Sequence, residues 1–154
     1  MNSKSYYQNL FEYENWANSQ IASVFTDSVQ LPVKALSVMS HIVNAQIVWL
    51  SRIKNETADV QVWKIYSADE LKSLLKKSSE DIMGFINEMS EEEPEKIISY
   101  INTKGEMFES YLKDILTHLI VHSAYHRGQV AMSIRPLFEN FPNTDYIHYV
   151  RIVK

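Results

Sequence analysis

Three of the five histidines in this 154-residue chain fall in one short segment, HLIVHSAYH at residues 118–126. Their i, i+4, i+8 spacing places successive imidazoles one turn apart on the same face of a helix. Two adjacent imidazoles can bind one divalent cation, with each nitrogen about 2.0–2.1 Å from the metal. The outer pair cannot, because about 12 Å of helix axis separates them. The spacing therefore predicts half of a metal site, either His118 with His122 or His122 with His126, and the site needs a third ligand.

The apolar residues around this segment indicate which face of the helix it occupies. Their recurrence every three or four residues is typical of a buried face. The predicted stripe consists of Leu112, Ile115, Leu119, Val130 and Leu137. His122 and His126 continue it, whereas His118 lies one step off. Imidazoles on a buried face need partners, either a metal ion or buried carbonyls and carboxylates. The stripe favours His122 with His126 as the ligand pair.

His41 is the only histidine before residue 118 and the best candidate for a third ligand. It lies in an apolar helical pattern and, alone, would more often be a structural residue. Opposite a histidine pair, it would complete a three-imidazole site. Imidazole ligands favour zinc, nickel or copper over magnesium or calcium. The fifth histidine, His148, lies in the C-terminal tail and has no periodic support.

Four long helical patterns must position these histidines. They run from about Ser3 to Phe25, Val33 to Lys54, Asp69 to Met89 and Tyr111 to Glu139. Ser67 and Glu70 match a capping box before the third helix, and Pro136 is expected to kink the last turn of the fourth. Residues 96–110 form two short alternating runs around a glycine-bearing turn, which predicts a small hairpin. We therefore predict one all-α domain over residues 1–154, a four-helix bundle with a short hairpin before its fourth helix.

Composition excludes several classes of protein. Hydrophobic residues make up 45% of the chain, as in globular domains. The net charge of −4 argues against nucleic acid as a partner, because phosphate binding needs a basic face. The absence of cysteine excludes disulfides and thiolate zinc sites and fits a reducing compartment. No signal-peptide core is present, and no apolar run approaches the roughly 18 residues of a membrane span. We expect a cytoplasmic protein with no membrane partner.

The sequence resembles the DinB family of small metal-binding proteins over essentially its whole length. The strongest part of the resemblance is H-x3-H-x3-HRGQ at residues 118–129, followed by HIVNAQIVWL at residues 41–50. The segments ENWAN at 14–18 and DYIHYVR at 145–151 match more weakly. By position, the resemblance implies that His41, His122 and His126 are the metal ligands and that His118 is a neighbour.

This family implies an up-down-down-up four-helix bundle, often dimeric, that holds a divalent ion with three histidines. Its characterised relatives are chiefly bacterial transferases or isomerases that use a low-molecular-weight thiol such as bacillithiol, mycothiol or glutathione. Others are described as metal-dependent hydrolases. The resemblance thus implies a bacterial enzyme that acts on a small molecule and holds a divalent ion, for which imidazole ligands make zinc or nickel the expected metal. A homodimer is also favoured by the aromatic tail at residues 141–153, which would expose apolar surface if it were left free.

The residues themselves leave the chemistry open. An ion held by three imidazoles can activate a water or bind a thiol as thiolate, and without cysteine that thiol must belong to a cosubstrate. Each ligand should donate its other N–H to an oxygen. The candidates around the site are Asn44, Gln46 and Gln129, with His118 as a neighbour. No residue is singled out as a general base. The alternatives are a non-catalytic bundle that binds a metal or small ligand, and a structural bundle whose histidines satisfy one another.

Overall fold

The computed structural model describes residues 2–26 and 29–152. The remaining positions of the predicted 1–154 domain lie outside the described residues, among them Val153 at the end of the aromatic tail. Four helices of 21 to 23 residues dominate the fold. They are α1 (Ser3–Ser23), α2 (Val33–Ile53), α3 (Ala68–Glu88) and α4 (Leu112–Ile134). The other elements are strands β1 (Ile97–Ile101) and β2 (Met107–Tyr111), the short helix α5 (Tyr146–Val150), and 3₁₀ turns at Glu93–Glu95 and Arg135–Leu137.

Local sequence signals account for several of the helix ends. The Asn2 side chain caps α1 by accepting the N–H of Ser5. The capping box predicted before α3 is confirmed, since Ser67 and Glu70 each accept a hydrogen bond from the other's backbone N–H. α4 ends at Ile134, before the predicted Glu139, and a 3₁₀ turn follows. Pro136 lies in that turn, where its missing N–H prevents the α-helical pattern from continuing.

The hairpin predicted within residues 96–110 is confirmed. β1 and β2 pair antiparallel, with Ile97 opposite Tyr111 and Ile101 opposite Met107. Gly105 in the turn has φ 81°, a left-handed conformation that costs little without a Cβ. The hairpin contacts α2 through β1 and α4 through β2. It therefore stands beside the two helices that carry the candidate metal ligands.

The long helices enclose two clusters of buried apolar side chains. α1 packs mainly on α3 and α4, and α2 packs mainly on α4 and α3. One cluster includes Ile21, Ile42, Leu71, Val130 and Ile134. The other includes Phe11, Ile82, Ile86, Leu116 and Ile120. Burial of this apolar surface, at about 25 cal/mol per Å², is the main force that holds the helices together.

A layer of buried polar side chains separates the two clusters and reaches every long helix. We call it the polar layer; its members are Glu14, Asn18, Gln46, Ser78, Ser123 and Arg127. On α4, for example, Arg127 lies between Ile120 of one cluster and Val130 of the other. Buried polar groups must hydrogen-bond to one another, so this layer specifies how the four helices are aligned.

The aromatic tail packs back on α1. Tyr146 meets the Tyr13 ring edge to face at 5.0 Å, and Tyr149 lies 5.1 Å from Trp16. The Tyr13 hydroxyl donates a hydrogen bond of 2.8 Å to the Thr144 carbonyl. These contacts attach α5 to the outside of the helical core.

α2 is long and apolar enough to cross a membrane by length and composition, which the sequence prediction did not anticipate. Its most apolar stretch is nevertheless 61% buried inside the protein. Such burial is characteristic of the core helix of a soluble protein, whose apolar faces are covered by neighbouring helices.

Candidate metal centre

The structure brings His41, His122 and His126 together, although 81 residues separate the first two in the chain. One ring nitrogen from each histidine lies within 4.8 Å of the others. The Nε2 atoms of His41 and His122 are 3.1 Å apart. Nitrogens bound tetrahedrally to one ion at about 2.0–2.1 Å would lie roughly 3.3 Å apart. The observed spacing therefore fits a divalent ion with small side-chain adjustments.

Two of the three rings have an oxygen acceptor for their other nitrogen. His41 Nδ1 lies 3.2 Å from the Val62 carbonyl oxygen, and His126 Nδ1 lies 2.9 Å from Gln129 Oε1. A carbonyl oxygen can only accept, so His41 carries its proton on Nδ1 and has a lone pair on Nε2. The same assignment for His126 follows when the Gln129 amide presents its oxygen. Such outer partners hold a ligand ring in the orientation that metal binding needs.

The connection between α2 and α3, residues 54–67, covers His41. The Trp63 ring stacks on the His41 ring at 3.9 Å with only 5° between the planes. The Asn44 side-chain oxygen accepts no hydrogen bond from a ligand histidine, and its Nδ2 donates to the carbonyls of Val62 and Lys64. Asn44 thus holds the segment that orients His41. Sequence reasoning missed Val62 and Trp63, and the available signal was a tryptophan within an otherwise polar connection.

His118 lies outside the group of converging nitrogens. Its side chain is exposed, and its ring meets Trp49 edge on at 5.5 Å. The centroid of the His122 ring is 5.2 Å away, so His118 is a neighbour of the site. Gln46, another candidate partner, donates to Glu14 in the polar layer.

The prediction that His122 and His126 lie on the buried stripe of α4 is wrong. The positions facing the core there are Ser123 and Arg127, each one residue later in the chain. One residue is a rotation of roughly 100° on a helix, which leaves both histidines half-buried at the edge of the core. The candidate metal site therefore lies between α2 and α4 at the edge of the core.

The environment keeps two of the three histidines, His41 and His122, deprotonated. Burial, together with smaller effects of His126, His41 and His118, lowers the pKa of His122 to about 4. Burial also lowers the pKa of His41, although its hydrogen bond to Val62 acts in the opposite direction. His41 and His122 are consequently neutral at pH 7, the form in which imidazole binds a metal.

The polar layer lies directly behind the histidine pair and anchors α4. Arg127 donates from one guanidinium nitrogen to Glu14 and Asn18, both at 3.0 Å, and from the other to the Tyr13 hydroxyl at 3.0 Å. Glu14 also accepts hydrogen bonds from Asn18 at 2.7 Å and Gln46 at 3.2 Å. Arg127 follows His126 in sequence, so the rotation of α4 that buries Arg127 also turns the histidines towards His41.

Comparison with known proteins agrees with this arrangement. A family model described as the DinB family matches residues 30–152, a range that contains all three converging histidines. Protein DinB of Bacillus subtilis (strain 168) is 22% identical over 163 residues, and the alignment covers 94% of each chain. The family model spans most of the chain, from before α2 to beyond α5. The chain belongs to the DinB family.

Proposed function

We propose that this protein is a metal-dependent enzyme in which His41, His122 and His126 hold one divalent ion, zinc or nickel. The observation that carries the proposal is the convergence of three ring nitrogens within 4.8 Å on a half-buried edge of the protein. Three imidazole ligands leave a coordination position for a substrate, as in catalytic rather than structural zinc sites. Family membership supports the same assignment.

The proposed fold is the up-down-down-up four-helix bundle. It is supported by the packing of each long helix on two others, in the order α1, α3, α2, α4 around the core. Consecutive helices α1 and α2 then lie diagonally opposite, as do α3 and α4. This order makes α2 and α4 neighbours, and they are the helices that carry the three histidines.

The proposed reaction is transfer of a low-molecular-weight thiol to a small electrophile, with hydrolysis of a small molecule as the second candidate. When bound, the divalent ion would act as a Lewis acid that favours the deprotonated form of a thiol or of water. The chain's own contribution is to bring three imidazoles together, two of them neutral at pH 7, and to hold His41 through Val62 and Trp63. Because the chain contains no cysteine, the thiol enters with the cosubstrate.

A paired activity screen tests this function. Untagged protein loaded with zinc or nickel would be assayed for loss of bacillithiol, mycothiol or glutathione in the presence of electrophiles, beside a panel of esters and amides. We expect metal-dependent turnover in the thiol panel, absent from the His122→Ala variant. Stoichiometric metal without turnover in either panel would indicate a binding module. Protein that takes up no metal would indicate the structural alternative, for which the 3.1 Å contact between His41 and His122 allows a direct hydrogen bond.

We also propose that the protein is a cytoplasmic homodimer. Large apolar side chains remain exposed on α4 and in the tail, including Val121, Tyr125, Met132, Ile147 and Ile152. Apolar surface of this kind commonly marks a protein interface. Sedimentation at micromolar concentration should show twice the mass of one chain, and a species of single-chain mass alone would contradict the dimer.

A further inference from the structure

A cavity of about 570 Å³ lies between the C-terminal half of α2, the connection 54–67 and the hairpin. Its volume falls within the roughly 300–1,000 Å³ of small-molecule sites. Much of its wall is aliphatic, formed by Val48, Val60, Val62, Ile101 and Met107. The cavity can therefore accommodate the apolar body of a small organic molecule.

Arg52 supplies a fixed positive charge in this wall. Its guanidinium carbon lies 4.7 Å from the centroid of the Trp49 ring and 5.3 Å from that of Tyr100. The two rings contact each other at 4.8 Å, so they form a rigid platform for the guanidinium. Burial lowers the pKa of Arg52, with a smaller opposing effect from Tyr100, and the group stays charged at pH 7.

This charge has no carboxylate partner within the part of the chain that the structure describes. The ion pairs among the described residues are formed by lysines and by Arg127, and Arg52 takes part in none of them. Glu56 also lines the cavity but is exposed and forms no ion pair with Arg52. A half-buried guanidinium held by aromatic rings retains free N–H donors, whose planar fork matches a carboxylate.

We propose that this cavity binds a small organic anion, with its carboxylate on Arg52 and its apolar body against Val48, Val60 and Val62. The site is separate from the metal centre. His41 directs Nε2 towards His122, and its Nδ1 faces the Val62 carbonyl. Because Val62 also lines the cavity, the cavity lies on the Nδ1 side of the His41 ring, away from the converging nitrogens. The proposal rests on the walls of the cavity and stands independently of the proposed enzymatic function.

Calorimetric titration of the full-length protein with 4-phenylbutyrate and the uncharged 4-phenylbutanol tests the proposal. We expect saturable 1:1 binding of the acid. Arg52→Gln should weaken acid binding about tenfold or more, the effect of losing a charge-assisted hydrogen-bond pair, and should leave binding of the alcohol within about twofold. Arg52→Lys should bind the acid with an affinity between those of the parent protein and Arg52→Gln, because lysine keeps the charge without the planar fork of N–H donors.

Arg135→Gln is the matched control, because Arg135 also lies over an aromatic ring, 5.1 Å from the centroid of Phe141, but outside this cavity. It should bind the acid as the parent protein does. Ala58→Phe, which fills the cavity, should abolish binding of both probes. His122→Ala should bind the acid normally, which separates this site from the metal centre. Absence of saturable binding at millimolar acid, or equal losses in Arg52→Gln and Arg135→Gln, would overturn the proposal.

Discussion

Replacing His122 with alanine is expected to abolish retention of the divalent ion. The His122 ring lies close to both other members of the group, with centroids 4.9 Å from His41 and 4.4 Å from His126. Its loss leaves two ligands, so the affinity should fall by more than the 10–100-fold typical of removing an outer partner. His126→Ala should behave alike, and His41→Ala should weaken binding severely. Metal content of untagged protein and competition with a chelator measure the effect.

Two further variants define the boundary of the site. Gln129→Ala removes the acceptor 2.9 Å from His126 Nδ1 and should lower metal affinity by about 10–100-fold. His118→Ala is the matched control, since it removes a neighbouring imidazole from the same helix while leaving the three converging nitrogens in place. If His118→Ala releases the ion while His126→Ala keeps it, the ligand pair is displaced by one turn of α4.

Arg127→Met is expected to destabilise the metal-free protein by about 3–5 kcal/mol, the cost of leaving a buried charge without its partner. Arg127 is 3% exposed and Glu14 is fully buried, so water cannot replace the lost cation. The substitution also removes the donor to Asn18 and Tyr13. Urea unfolding at pH 7 measures the change. The expected loss is a large share of the roughly 5–15 kcal/mol by which a typical domain is stable.

Two comparisons show whether burial of the Glu14–Arg127 ion pair causes the loss of stability in Arg127→Met. Lys77→Met breaks the exposed ion pair with Asp81 and should leave the free energy of unfolding nearly unchanged. The double variant Glu14→Leu with Arg127→Met removes both buried charges and should be more stable than Arg127→Met alone. A loss in Arg127→Met no larger than that in Lys77→Met would show that the buried pair contributes nothing to stability.

Much of the local structure could be predicted from the sequence because its causes are local. The Ser67–Glu70 capping box, the glycine-bearing turn at Gly105 and the apolar periodicity of the long helices act between residues a few positions apart. The i, i+4 spacing of His122 and His126 places them together on any helix. These features depend on neighbouring residues and little on how the helices pack, so they could be predicted without the tertiary structure.

The tertiary structure alone decided which face of α4 is buried and what surrounds the histidines. Periodicity extended the apolar stripe through His122 and His126 and treated the charged Arg127 as solvent-facing. Arg127 is buried instead, because Glu14, 113 residues away, neutralises its charge. The Val62 carbonyl and the Trp63 ring reach His41 only because the connection folds back over α2. Such partners are chosen by packing between distant segments, and the energy of a buried pair exists only once those segments meet.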